Sequence, residues 1–135
     1  MALFGALDAA VSGATVSRVW LDAISDNVAN INTIRSTSEE PFRARMVVVS
    51  EVTRTRGQVG GVRTVRIADR QGEPELLYDP SHPLADENGN VRRPSVDMST
   101  EMTNLLIANR TYQSNLRVIE IARSTYQSAL RIGAR

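Results

Sequence analysis

Residues 3–31 read LFGALDAAVSGATVSRVWLDAISDNVANI, and their periodicity sets the architecture expected of the whole chain. Apolar and small side chains recur at alternating intervals of four and three residues: Leu3, Leu7, Ala10, Ala14, Ser17, Leu21, Ile24, Val28 and Ile31. Such a repeat is typical of a coiled-coil seam, here with one polar interruption at Ser17. The earliest proline is Pro41, so we expect one continuous helix over residues 3–31.

The same repeat returns in the last third of the chain: Met98, Met102, Leu105, Asn109, Tyr112, Leu116, Ile119, Arg123, Tyr126 and Leu130. Asn109 and Arg123 are polar seam positions, which commonly fix register or partner choice. Val118, Ile121 and Ala122 widen the apolar stripe beyond what one partner helix needs. We therefore expect a second long helix, with apolar surface left over for neighbouring molecules.

Between the two seams the period changes to that of β-strands. Three β-branched or apolar runs predict short strands: residues 43–52, 62–68 and 75–79. The glycine-rich residues 57–61 predict a loop, and Asn88-Gly89 predicts a tight turn. This middle part of the chain is too small for a robust core of its own and is expected to lean on the helices or on neighbouring molecules.

The expected fold is therefore α+β, with three parts. The long helices of residues 1–34 and 98–135 pack as an antiparallel coiled-coil pair, and residues 35–97 form a small β-rich middle domain. Opposite charge supports the pairing, since residues 1–42 carry a net charge of −3 and residues 102–135 carry +4.

Composition excludes several kinds of chemistry. The chain has no cysteine and one histidine, which excludes disulfides, thiolate metal sites and histidine-based zinc sites. His82 lies in a turn with no nucleophile-elbow pattern around it. Asp86, Asn88 and Asn90 match the first ligand positions of a calcium loop, but Val91 replaces the required glycine, which leaves a plain Asn-Gly turn as the favoured interpretation. No cofactor and no enzymatic activity are expected.

The charge is laid out in blocks. All sixteen basic residues are arginine, against fifteen acidic ones. Residues 43–70 carry +5 and residues 71–101 carry −5, a balance that does not favour nucleic acid as a partner. Opposite blocks suit pairing within the chain or between copies of it.

An asparagine cluster marks the end of the first helix. Asn27 and Asn30 fall on its last turns and Asn32 follows. Asparagine is a poor helix former but a good cap and hydrogen bonder. The cluster is consistent with helix termination alone, or with a polar network that orders the helix exit and bonds to neighbouring chains.

These residues also carry a resemblance. LDAISDNVANINT, residues 21–33, resembles the N-terminal signature of bacterial flagellar rod, hook and hook-associated proteins. The Gly-Tyr that usually follows is replaced by Ile34-Arg35-Ser36-Thr37, and the segment ends in Pro41-Phe42-Arg43, as in the proximal-rod branch of that family. YDPSHPLADENGNV at 78–91 with PSVD at 94–97, and the segment from Glu101-Met102 to Asn115, are similar to two further blocks of the same branch.

The resemblance implies a subunit of the proximal rod that stacks helically in the periplasm with copies of itself and other rod subunits. It also implies export by the flagellar type III apparatus without a cleavable signal, and no small-molecule substrate. A coiled-coil adaptor or a phosphate-binding interaction module is the alternative from another functional class.

We expect the assembly interface to draw on both seams, on the asparagine cluster and on two middle-domain arginines: Leu7, Leu21, Ile24, Asn27, Val28, Asn30, Asn32, Arg43, Arg45, Met102, Leu105, Asn109, Tyr112, Leu116 and Ile119. Together with Arg54 and Arg56, the two interface arginines are expected to face the acidic residues 73–87 of another copy.

Overall fold

A computed structural model describes residues 2–52 and 60–133. Along the chain, a long helix α1 is followed by four strands, β1 to β4, and then by a second long helix, α2. Their bounds are as follows: α1 Ala2–Asn30, β1 Arg45–Val52, β2 Gly61–Asp69, β3 Glu75–Tyr78, β4 Asn90–Arg93 and α2 Met98–Gly133. The fold is α+β, as the sequence predicts. No helix in the described ranges is long and apolar enough to cross a membrane.

The two helices run antiparallel along each other. Near the start of α1, the rings of Phe4 and Tyr126 meet edge to face with centroids 5.9 Å apart. Farther along, Gly13 lies against the Asn115 side chain, and close to the end of α1 Asn27 bonds to Glu101. Residues later in α1 contact residues earlier in α2, which confirms the predicted antiparallel orientation. Coiled-coil packing of the pair stays a prediction.

Small residues dominate the contact between the helices. Ala10, Ala14 and Ser17 of α1 are buried, as are Ala108 and Ala122 of α2. The Ser17 hydroxyl donates to the Gly13 carbonyl oxygen at 2.8 Å, so the polar seam position is satisfied within its own helix. Small side chains let the two helix axes approach closely.

The seam predicted for α2 is wrong at every second position. Met102, Asn109, Leu116 and Arg123 are exposed, whereas the residues one place earlier are buried or half-buried: Glu101, Ala108, Asn115 and Ala122. The shared positions Leu105, Tyr112 and Ile119 are half-buried. The reason is steric: α1 presents mostly alanine, serine and glycine at this contact, and small residues of α2 fit there better than larger side chains do.

The strands form two separate two-stranded antiparallel sheets, β1–β2 and β3–β4. The β1–β2 hairpin has a bulge between Val48 and Val49. It is held along α1 at both ends, because Asn27 bonds to the backbone of Arg45 and the Val62 N–H donates to the Ser12 hydroxyl at 3.1 Å. The hairpin therefore leans on a helix, as the small size of the middle segment predicts.

The sequence predicts only one of the two strands of the second sheet. β3 falls where the sequence predicts it, but β4 was missed because two of its four residues are arginines. Gly89 closes the connection with φ +77°, where a Cβ would come within 3.0 Å of Tyr78 and Pro80. Of the predicted loop 57–61, residues 57–59 lie outside the described residues.

Candidate assembly site

A buried polar cluster ties α1, α2 and the hairpin together. Asn27 and Glu101 are each 1% exposed. The Asn27 amide nitrogen donates to Glu101 Oε2 at 3.1 Å and to the Arg45 carbonyl oxygen at 3.0 Å. Its amide oxygen accepts the Arg45 N–H at 2.7 Å. One side chain thus bonds to two other elements of the fold.

Arg70 completes the cluster from the solvent side. Its guanidinium lies 3.3 Å from Glu101 Oε1, and its backbone N–H donates to the Ala44 carbonyl oxygen. A carboxylate buried this deeply needs a cation and hydrogen-bond donors. Asn27 donates to Oε2, and Arg70 is the cation beside Oε1, which accepts no hydrogen bond from the described residues. The sequence pointed to Asn27 but not to Glu101 or Arg70, because these residues meet only through tertiary structure.

The rest of the asparagine cluster orders the helix exit. The Asn30 amide donates to the Asp26 carbonyl oxygen at 2.9 Å, and the Thr33 hydroxyl donates to Asn30 Oδ1 at 3.2 Å. Asn32 is exposed. These bonds of Asn27 and Asn30 hold the end of α1 in place; contact of this cluster with neighbouring chains stays a prediction.

The two interface arginines have acidic partners in their own chain. Arg45 forms an ion pair with Asp26 at 2.5 Å, and Arg43 forms one with Glu40 at 3.2 Å. Both arginines remain exposed, so a neighbour can still reach them. Arg54 and Arg56 lie outside the described residues.

Of the remaining predicted interface residues, Ile24 is buried inside the chain. Half-buried positions form the next group: Leu7, Leu21, Val28, Leu105, Tyr112 and Ile119. Met102, Asn109 and Leu116 face outward. Only the exposed and half-buried members can meet a neighbour while the helix pair stays closed.

A set of exposed apolar side chains lies on α2, on a side of the helix that does not contact α1. We call it the outer face and define it by Ile107, Val118, Ile121 and Ile132, all exposed. Their spacing of 11, 3 and 11 residues places them on one side of a helix. Four exposed aliphatic side chains on one side of a long helix make this side a candidate interaction surface.

The turn at residues 86–90 has its own internal hydrogen bonds. Asp86 Oδ1 accepts the N–H of Asn90 at 2.8 Å and that of Asn88 at 2.9 Å. The bond from Asn90, with a smaller one from Asn88, lowers the pKa of Asp86 below its ordinary value. No cluster of potential metal ligands occurs within 2–52 and 60–133. The Asp86 carboxylate is thus bonded to backbone groups of its own turn.

α2 begins with a capped turn. Asp97 Oδ2 accepts the Thr100 hydroxyl at 2.6 Å and the Thr100 N–H at 2.8 Å. The hydroxyl bond, followed by the backbone bond, holds the pKa of Asp97 below its ordinary value of 3.8. An aspartate in this position satisfies a backbone donor that the helix itself leaves unpaired.

This cap makes the stability of the chain sensitive to acid. Because the folded-state pKa of Asp97 is lowered, its contribution is present above pH 3.8 and is lost as the pH falls through the folded-state pKa. We expect the melting temperature to fall less steeply below that pH in Asp97→Asn than in the unmodified chain. Thermal unfolding followed by circular dichroism checks this, and equal slopes for both proteins would contradict it.

Known proteins place the chain in a family. Residues 87–132 match the model of the flagellar basal body rod FlgEFG protein C-terminal region. The chain is 37% identical over 120 residues to the flagellar basal-body rod protein FlgC of Salmonella typhimurium, covering 88% of this chain and 89% of the relative. For FlgC of Yersinia enterocolitica the identity is 34% over 119 residues, with 88% and 89% covered.

A more distant relative extends the match. FlgC of Borreliella burgdorferi is 31% identical over 136 residues, covering 88% of this chain and 90% of the relative. These likenesses span the signature blocks at residues 21–33 and 78–97, and they confirm the family that those blocks indicate. The chain belongs to the FlgC family of flagellar basal-body rod proteins.

Proposed function

We propose that this chain is a structural subunit of the flagellar basal-body rod and, within it, of the proximal rod. The outer face of α2 carries the proposal. A monomer in water gains nothing by exposing Ile107, Val118, Ile121 and Ile132, whereas a subunit enclosed by others buries them. Copies of this chain and other rod subunits are the partners that cover the outer face.

In this proposal the helix pair forms the rod core and the middle segment fills the space between subunits. The helices pack as a coiled coil, and the segment of residues 35–97 acts as a separate small domain. The exposed Met102 and Leu116 flank the intrachain helix contact and extend the apolar surface toward a neighbour. A heterologous contact of this kind continues into a helical array that transmits torque.

Export by the flagellar type III apparatus belongs to the same proposal. α1 buries mostly small side chains, such as Ala10 and Ala14, so the burial on this face that opposes unfolding is small. A chain that is easily unfolded suits passage through a narrow channel.

The outer face gives a direct test. Ile121→Asp places a charge on a side chain that the monomer leaves exposed, so we expect the folded chain to keep its melting temperature within about 2 °C, as for most surface substitutions. We expect swimming to be lost and the chain to be missing from purified basal bodies, because the buried charge has no partner. Ile121→Val is the matched control and should keep both.

The outcomes separate clearly. Full motility of Ile121→Asp, with normal occupancy in basal bodies, would show that the outer face is not an assembly surface. Density for the unmodified chain located outside the rod in images of isolated basal bodies would reject the proposed function itself.

A further inference from the structure

Both small sheets end in an unpaired edge strand. Within the described residues, β1 is the only strand paired with β2, and β4 is the only one paired with β3. The far side of β4 is occupied, because Arg35 and Arg92 exchange two backbone hydrogen bonds of 2.9 Å. β3 is thus the open side of its sheet. An exposed apolar edge strand is a template for pairing with another chain.

The open edge of β3 is apolar. Leu76 and Tyr78 are 66% and 70% exposed. The Asp79 N–H donates to the Gly89 carbonyl oxygen at 2.8 Å, and antiparallel pairing alternates between bonded and non-bonded residues. By this alternation the N–H and C=O groups of Leu76 and Tyr78 point to the open edge. Backbone groups and apolar side chains are therefore presented together.

The acidic residues around β3 determine which kind of strand is favoured to pair with it. Residues 73–87 contain five acidic residues and no arginine. Among the described residues, Glu73 and Glu87 form no ion pair with an arginine. A strand that approaches β3 is favoured if it combines arginines with β-branched side chains.

β2 has these properties. It carries Arg63 and Arg66, and its Val65 and Ile67 are exposed. Ser12 of α1 accepts the N–H of Val62, the second residue of β2, and beyond that residue no other strand of the described chain lies on the outer side of β2. β1 fits less well, because its one arginine, Arg45, is paired with Asp26 and its other charged residue, Glu51, is acidic.

We propose that β3 of one copy pairs edge to edge with β2 of a second copy, joining the two small sheets into a four-stranded sheet across the subunit boundary. Pro74 and Pro80 limit β3 to four residues. Because so short a strand pairs only where helix contacts already hold the copies together, this inference rests on the proposed function. The contact is heterologous, so it continues from copy to copy as a rod requires.

The absence of cysteine from the chain allows a clean crosslinking test. A strain carries Val65→Cys together with Leu76→Cys in place of the unmodified chain, and its purified basal bodies are treated with a short bismaleimide, which tolerates a shift in register. We expect a ladder of crosslinked copies of the 14.8 kDa chain. Each single-cysteine variant, and the pair Val65→Cys with Ser124→Cys, whose second position is exposed on α2 outside the outer face, should give at least about tenfold less product, because paired strands bring side chains within about 5.5 Å.

A charge exchange gives a second readout if the cysteine variant assembles poorly. We expect Arg63→Glu with Arg66→Glu to reduce occupancy of the chain in basal bodies at least about fivefold, and added Glu73→Arg with Glu87→Arg to restore at least half of it. Crosslinks from position 76 to a different rod protein, or no product above the controls, would overturn the inference while leaving rod membership intact. Absence of the unmodified chain from basal bodies would reject the proposed function instead.

Discussion

Asn27→Asp is expected to destabilise the chain by about 3 kcal/mol or more, the usual cost of an uncompensated buried charge. The substitution changes almost no volume. It replaces the amide nitrogen that now lies 3.1 Å from Glu101 Oε2 with a carboxylate oxygen, at a position 1% exposed. Two buried carboxylates would then face each other, and the Arg45 carbonyl oxygen would lose its donor. Urea unfolding at neutral pH measures the loss.

A second substitution distinguishes charge repulsion from a general packing defect. Adding Glu101→Gln to Asn27→Asp removes one charge and provides a new donor, so we expect it to recover at least half of the lost unfolding free energy. Ser25→Ala is the matched control on the same helix. It removes an exposed bond to the Leu21 carbonyl oxygen and should cost less than about 0.5 kcal/mol. If Asn27→Asp is no worse than Ser25→Ala, the buried cluster does not form as described.

Ala108→Leu is expected to cost about 2 kcal/mol and to abolish swimming, because overpacking of a closely packed contact costs 1 to 3 kcal/mol. Ala108 is 0% exposed, so three further carbon atoms at this position press against neighbouring residues. The larger side chain forces the helices apart and disturbs every contact along the pair. Urea unfolding and swimming assays on soft agar measure the two effects.

Ala129→Leu is the matched control, since it makes the same change on an exposed position of the same helix. We expect its unfolding free energy to stay within about 0.5 kcal/mol of the unmodified chain. Equal stability of Ala108→Leu and Ala129→Leu would show that the two helices do not approach closely at Ala108.

Leu116→Asp, in contrast, tests assembly and not folding, because Leu116 lies on the exposed side of α2.

Local periodicity was enough to predict most of the secondary structure. The predicted helices 3–31 and 98–135 and the first three strands agree with α1, α2 and β1–β3 to within about two residues. β4 was missed because Asn90–Arg93 has little apolar content; it becomes a strand by pairing with β3 after the turn at Gly89. The signature blocks also predicted the family, since sequence patterns alone carry that information.

The buried cluster could not be predicted from local patterns. At the start of α2, Glu101 is the kind of acidic residue that commonly favours a helix N-terminus in solvent. Its burial comes from Asn27, which is 74 residues away in the chain, and from Arg70 at the end of β2. The charge blocks indicated attraction between segments of the chain. Which charged side chains become buried depends on how α1, α2, β1 and β2 are arranged in three dimensions.

The sequence by itself determined that this chain has two long helices with matching apolar repeats, a β-rich middle and the motifs of a rod-protein family. Only the tertiary structure decided which residues of α2 face α1. One residue along a helix turns the side chain by about 100°, and both Leu116 and its neighbour Asn115 fit the repeat. Asn115 is the residue that contacts α1, where it lies against Gly13. The contact energy depends on the shapes of both helix surfaces, whereas the periodicity of a sequence describes only one of them.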